Sequence, residues 1–274
     1  MFELFNIYHY VYLIVIIFGF IYLNKYFSNL KKEKKNKYLF ILSIFNFVIH
    51  FVKVFLYPYK EVSTQFYYLS LSNLCAINVC LYPLVLKLDN RVLNNYFMLF
   101  GFISGLVAIL FPYELVNFNA FNIESIRYFV THFILMFISF NLFKEKGINY
   151  RYLFIGYFIF FIEQGIILLN DFIFFKLDII PTIDYSNGSL VYGINSKLEA
   201  LKGVIDIFTL DIFKLNDGYI YLLWQITPSL VLFIFILIVV ILFIDNRRFK
   251  NDWYRIKYIL IKKFNKKYFD KNSL

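Results

Sequence analysis

Cysteine, histidine, small residues and acids are what this chain has least of. Its two cysteines, Cys75 and Cys80, lie five residues apart in one apolar segment, off any shared helix face. That geometry gives no disulfide framework, and both read as free thiols. Three histidines spread across 274 residues make no metal-ligand cluster with them, so no metal site is expected. There is no Gly-rich phosphate loop, no serine-hydrolase elbow and no haem signature, so no cofactor is expected either. Glycine numbers 10, proline 5 and alanine four, against 37 Phe and 24 Tyr. Asp and Glu number 18 against 28 Lys and Arg, a formal charge of +10.

What is abundant is apolar surface: 61% of residues are hydrophobic, and mean hydropathy is +0.65. A soluble domain of this length could not hide so much, so lipid must be part of the solvent. A membrane span needs about 20 mainly apolar residues. Seven windows qualify: roughly 8–27, 38–57, 66–86, 95–112, 125–143, 152–175 and 219–244. The first lacks the basic leader and small-residue cleavage site of a signal peptide. The basic residues cluster in alternate connections: five Lys in "SNLKKEKKNK", then "KLDNRVLN", "KEKGINYR" and a tail with ten Lys/Arg. The positive-inside rule then sets the N-terminus outside and the C-terminus in the cytoplasm. The expected fold is an all-α cell-membrane protein: a seven-helix bundle over 1–244, a long outer loop over 177–218 and a basic cytoplasmic tail over 245–274.

The tail carries ten basic and three acidic residues, much of the net charge. Because it hangs from the last span, its expected partner is anionic inner-leaflet lipid rather than nucleic acid. Trp253, Ile256, Leu260 and Phe264 fall on one stripe of it, the pattern of an amphipathic helix lying on a bilayer. The second half of the outer loop has near-helical apolar spacing and reads as an interfacial lid. The "NGS" triplet at 187–189 has the form of a glycosylation sequon.

Ionisable groups inside spans are costly, and each is a candidate for function. Counting a 1.5 Å rise per residue puts Cys75 about 13 Å and His132 about 10 Å from the outer end of their spans, with His50 and Glu163 also in the outer half. Arg127 opens the fifth span, Asn170 and Asp171 close the sixth, and Gln225 begins the seventh. Cys75 and Asn78 share a helix face, as do Asn46, His50 and Lys53. The segment "SLSNLCAINVC" (70–80) therefore reads as one wall of a polar cavity opening outward. Ser70, Ser72 and Asn73 also fit simple helix-to-helix hydrogen bonding. Cys80 reads as a small hydrophobe, His9 as a solvated interfacial group, and Glu163 with Arg127 as a possible interhelical ion pair.

Several landmarks resemble the YwaF family of bacterial polytopic membrane proteins: "SNLCAINVCLYPLVL", "GFISGLVAILFP", "IRYFVTHFILM" and "NDGYIYLLWQITPSLV", in that order between residues 38 and 244. That family is distantly similar to a eukaryotic transmembrane family implicated in acyl transfer to phospholipids through a membrane-embedded cysteine. The resemblance implies Cys75 as that cysteine and His132 as its partner. The chain departs from the pattern at Asn73, where a histidine is expected.

Two functions follow as expectations. One is a thiol acyltransferase acting on membrane lipids, with Cys75 as nucleophile, His132 or His50 as base, and Asn78, Arg127, Glu163 and Gln225 binding substrate. The other is a non-catalytic transporter or receptor that binds a small polar ligand in the same cavity. A scaffold without cavity chemistry is the third.

Overall fold

A computed structural model describes residues 1–56, 64–116, 118–184, 192, 199–215, 218–243 and scattered positions of the tail. Among the described residues it is mostly helical, with one two-residue hairpin that pairs Lys214–Leu215 (β1) with Gly218–Tyr219 (β2). In chain order the helices are α1 (Ile7–Ser28), α2 (Lys32–Val52), α3 (Leu74–Leu88), α4 (Arg91–Tyr96), α5 (Phe102–Leu110), α6 (Ile123–Lys146), α7 (Leu153–Lys176), α8 (Glu199–Phe208) and α9 (Ile226–Phe243). A π-helical turn, Phe97–Gly101, joins α4 to α5 into one rod.

Among the described residues, five helices are long and apolar enough to cross a membrane: Ile7–Ser28, Lys32–Phe55, Arg91–Leu115, Ile123–Lys146 and Phe154–Lys176. Two apolar helices are shorter, Leu74–Leu88 and Leu223–Phe235. The five long helices fall on five of the seven windows, the two shorter ones overlap the other two, and the differences have local causes. The expected third span begins too early. Ser70 turns its hydroxyl onto the Tyr67 carbonyl at 2.6 Å, and Asn73 caps α3 by accepting from the Ala76 N–H at 2.8 Å. Short polar side chains that bond their own backbone favour turns and caps over helix interiors. Cys75 is therefore in the first turn of α3 rather than deep within a span. The expected last span loses its beginning to the hairpin and to a 3₁₀ turn, Leu223–Gln225.

Lipid tails are as apolar as the side chains, so helix association here depends on close packing and interhelical hydrogen bonds. α1 shows what the lipid-facing surface looks like, with Ile14, Val15, Ile17, Phe18, Ile21 and Tyr22 all exposed. The interior is aromatic. Phe100 stacks with Tyr96 and Phe160 at ring-centroid distances of 4.8 and 5.3 Å, and Phe27 meets Phe137 edge-on at 4.9 Å. α6 is the central helix, its core residues Leu135, Phe137 and Ile138 being almost wholly buried.

α5 comes closest to it. A Cβ added at Gly105 would lie 2.8 Å from the His132 carbonyl oxygen and 3.0 Å from the Met136 nitrogen. Both neighbours are backbone atoms and cannot swing aside. The reading of His9 as solvated is also corrected. It is fully buried, accepting from the Phe5 N–H at Nδ1 (3.0 Å), so its Nε2–H donates to the Ile109 carbonyl (3.0 Å) and fastens α1 to α5.

Of the tail and outer loop, residues 244–250, 252, 255–256, 259–260 and 262–274, together with the sequon at 187–189, lie outside the described residues. So do Ile256, Leu260 and Phe264 of the expected tail stripe. Gly105→Ala is expected to destabilise the bundle by about 1–3 kcal/mol, the usual cost of overpacking a tight contact. Thermal unfolding of the purified protein in detergent checks this, and an unchanged midpoint would mean that α5 and α6 are not held at this distance.

Candidate functional site

Alternation of the helices gathers the end of α2, the start of α3, the start of α6 and the end of α7 on one face, the same face where α1 begins. Polar side chains concentrate in the half of the bundle below it. His50 is buried near the end of α2, where Nε2 lies 3.2 Å from the Leu69 carbonyl. His132 is buried one turn beyond Tyr128, with Nδ1 at 2.7 Å from the Tyr128 carbonyl. A carbonyl only accepts, so each of these nitrogens carries the proton. The other ring nitrogen, Nδ1 of His50 and Nε2 of His132, keeps its lone pair and is the basic atom.

Lys53 is buried beyond His50, within electrostatic range of Arg127, Glu114, Glu124 and Cys80. Two cations and two carboxylates thus balance around it. Arg127 forks onto Glu124 in its own helix, with Nε at 2.6 Å from one carboxylate oxygen and an Nη on the other. Glu163 instead accepts from the Tyr96 hydroxyl, so the ion pair considered between Glu163 and Arg127 is not what holds either group.

Cys75 lies near Ser104 of α5, whose hydroxyl donates to the Gly101 carbonyl at 3.2 Å, and within electrostatic range of Glu114, Glu163 and Lys53. No hydrogen bond joins it to His132 or His50. Ser104 precedes Gly105, so the contact that presses α5 onto the His132 backbone also places Ser104 near Cys75. Asn78 follows Cys75 by three residues on the same face and is fully buried. Gln225 is buried at the start of α9, on the α7 side, where the Tyr157 hydroxyl bonds the Ile226 carbonyl and Ser229.

The distribution of satisfied groups is uneven. At the rim the polar residues are stitched together: Asn170 donates to Ser70 at 3.0 Å, and Tyr67 and Tyr192 both donate to Asp171, at 2.9 and 3.2 Å. Below the rim, Asn46 Oδ1, both amide atoms of Asn78, Thr131 Oγ1, Glu163 Oε1 and Gln164 Oε1 are buried with no hydrogen-bond partner in the protein. They come from α2, α3, α6 and α7, which pack on one another. A buried polar atom without a partner costs about 1–3 kcal/mol. Six such atoms on four packed helices are what a hydrogen-bonding ligand would engage. Sequence reading named Asn78, His50, His132 and Glu163 but missed Ser104, Thr131 and the Tyr96 contact. Ser and Thr in an apolar helix give no signal of their own, and Tyr96 lies 67 positions from its partner.

The fold defines a polytopic α-helical membrane protein with buried polar side chains on four of its helices. The sequence profile of the TMEM164 family matches residues 4–197, and the chain belongs to that family. This corrects the YwaF resemblance, whose landmarks are short Phe-, Ile- and Leu-rich runs ending in Pro that many apolar spans can supply. Comparison with curated proteins and with solved structures gave no match.

Tyr96→Phe is expected to leave the Glu163 carboxyl unpartnered and to cost about 1–3 kcal/mol. Combining it with Glu163→Leu should recover most of that loss, a non-additivity that a double-mutant cycle of unfolding free energies measures. Strict additivity would mean the two groups do not interact.

Proposed function

We propose that this chain is a seven-span membrane protein, N-terminus outside and C-terminus in the cytoplasm, that transfers an acyl group from a lipid ester through Cys75. The observation that carries the reading is the pairing of Cys75 with Asn78. A nucleophile and a buried amide without a protein partner stand one helical turn apart on one face. Acyl transfer needs a donor aimed at the oxygen that gains charge, and a donor already engaged elsewhere would not serve.

In this reading the Cys75 Sγ attacks the ester carbonyl carbon while its proton leaves through the Ser104 hydroxyl. The carbonyl electron pair moves onto oxygen, where the Asn78 Nδ2–H donates. Collapse forms the thioester and expels the lysolipid oxygen, which takes up the proton. An acceptor hydroxyl then opens the thioester and returns its own proton to Sγ. Lys53 lies within electrostatic range of Cys75. His132 and His50 are the bases of the layer, each with one lone-pair nitrogen. Arg127, Glu163 and Gln225 remain substrate-binding candidates.

Passage of a solute is less well supported. Toward the opposite face the polar groups bond one another, Tyr82 with Ser139 and Asn141 with Asn24. Around them lies an apolar core that includes Phe97, Leu135 and Ile138. The orientation rests on the Lys/Arg bias of the connections. A membrane-impermeant maleimide should spare Lys34→Cys in intact cells and label it once they are opened, in a Cys75→Ala/Cys80→Ser background. Labelling of intact cells would reverse the topology.

Full-length protein incubated with phosphatidylcholine carrying isotope-labelled acyl chains is expected to show a hydroxylamine-sensitive acyl adduct by intact mass. Cys80→Ser should keep the adduct and Cys75→Ala abolish it. Asn78→Leu should slow its formation about 10²–10³-fold, as loss of an oxyanion donor does. An adduct that survives in Cys75→Ala ends the proposal. Lipid binding with no adduct in any form would assign the layer to ligand binding without catalysis.

A further inference from the structure

The opposite face of the bundle holds a second polar site that shares no residue with the layer around Cys75. A cavity of about 380 Å³ opens where α2 begins, α3 gives way to α4 and α6 ends. This is at the low end of the range for small-molecule sites. Lys32, Arg91 and Lys146 bring three cations to its wall, against the single carboxylate of Asp89. Asp89 is already engaged. The Lys146 ammonium bonds its Oδ1, and the Asn94 amide donates to the same oxygen at 2.8 Å. The Lys146 contact also holds the Asp89 carboxyl below its ordinary pKa. Lys32 and Arg91 form no salt bridge among the described residues. The wall therefore has two positive charges in excess.

Its far side is built rigidly. Asn95, almost wholly buried, donates to the Asn149 carbonyl at 3.1 Å and accepts from the Asn149 N–H at 2.8 Å. Gly147, at φ 63° and ψ 169°, turns the chain from α6 into that clamp with a backbone almost reserved for glycine. A second observation points to a ligand. Asn94 lines the cavity, is 2% exposed, and its Oδ1 has no hydrogen-bond partner in the protein. An excess of fixed donors beside one free acceptor suits a group that is anionic overall and still carries a hydroxyl.

We propose that this cavity binds a phosphate ester, with Lys32 and Arg91 on the phosphate oxygens and Asn94 Oδ1 accepting from a hydroxyl of the same ligand. Three of the long apolar helices, Lys32–Phe55, Arg91–Leu115 and Ile123–Lys146, end at this site, which therefore sits at the depth of lipid headgroups. Phosphate chemistry has two sources here, the headgroup of an anionic lipid or a free phosphorylated molecule. The inference does not depend on Cys75 being catalytic.

The test is fluorescence anisotropy of labelled dihexanoylphosphatidylglycerol, whose headgroup carries both the phosphate and free hydroxyls, with the full-length protein in maltoside detergent. Saturable binding is expected, and Lys32→Gln and Arg91→Gln should each weaken it about tenfold, the scale of one charge-assisted hydrogen bond. Lys34→Gln and Lys35→Gln, on the same helix turn but outside the cavity, should leave it unchanged. Competition separates the sources. Displacement by inorganic phosphate supports a site for free phosphate, and displacement by unlabelled dihexanoylphosphatidylglycerol alone supports a lipid site. Absence of saturable binding overturns the proposal. So does equal weakening by the Lys34 and Lys35 variants, which would reduce the effect to attraction by a basic surface.

Discussion

The close approach of α5 to α6 at Gly105 is the constraint on which the other features of the bundle depend. With no side chain at that position, the α5 backbone lies directly on the turn that carries His132. Its neighbour Ser104 then lies near Cys75 of α3. One turn earlier, Gly101 leaves room for the Tyr82 hydroxyl, which reaches Ser139 on α6 and the Phe97 carbonyl at 3.1 Å. Three helices are thus fixed by two glycines and one tyrosine. Widening this contact would separate Ser104 from Cys75 before it disturbed anything at the lipid surface.

Polar groups in this chain fall into two populations with different physical roles. Those at the rim and toward the opposite face are paired, and their pairs tie helices that the hydrophobic effect cannot hold together in lipid. Ser70 with Asn170, Tyr67 with Asp171 and Asn141 with Asn24 belong here. Those below the rim are buried and only partly paired. Asn46 shows the division within one side chain, its amide donating to the Thr131 carbonyl at 3.2 Å while its Oδ1 has no partner. A bundle selected only for stability would replace such atoms by apolar ones of the same shape at little cost. Their persistence on four packed helices argues for a ligand.

Much of this was legible in the sequence because lipid imposes simple rules. Apolar length marked the five long apolar helices to within about six residues at each end. The depth argument named Cys75, His50, His132 and Glu163, and the last three are buried in the bundle. It failed wherever a local hydrogen bond overrode hydropathy. Asn73 starts α3 eight residues into the window that hydropathy assigned to it, and His9 is a staple because the Ile109 carbonyl lies opposite it. Long-range partners such as Tyr96 for Glu163 leave no trace in spacing. The phosphate cavity was invisible for another reason. Its lysines read as an ordinary cytoplasmic charge bias, and only the fold sets Lys32, Arg91 and Lys146 around one space.

The two polar sites are joined through a single helical turn. Asn94 lines the cavity, Asn95 clamps residues 147–149, and Tyr96 donates to Glu163, which stands within electrostatic range of Cys75. These three consecutive residues point to three different partners, so α4 cannot rotate or slide without breaking at least one contact at each site. Phe100, one turn on, stacks on Tyr96 and Phe160 and holds the same rod against α7. A packed interface of this kind moves between discrete arrangements rather than deforming smoothly. Any shift of α4 that a phosphate drew from Arg91 and Asn94 would therefore reach Glu163 as a change in its hydrogen bond, with no intervening flexible segment to absorb it.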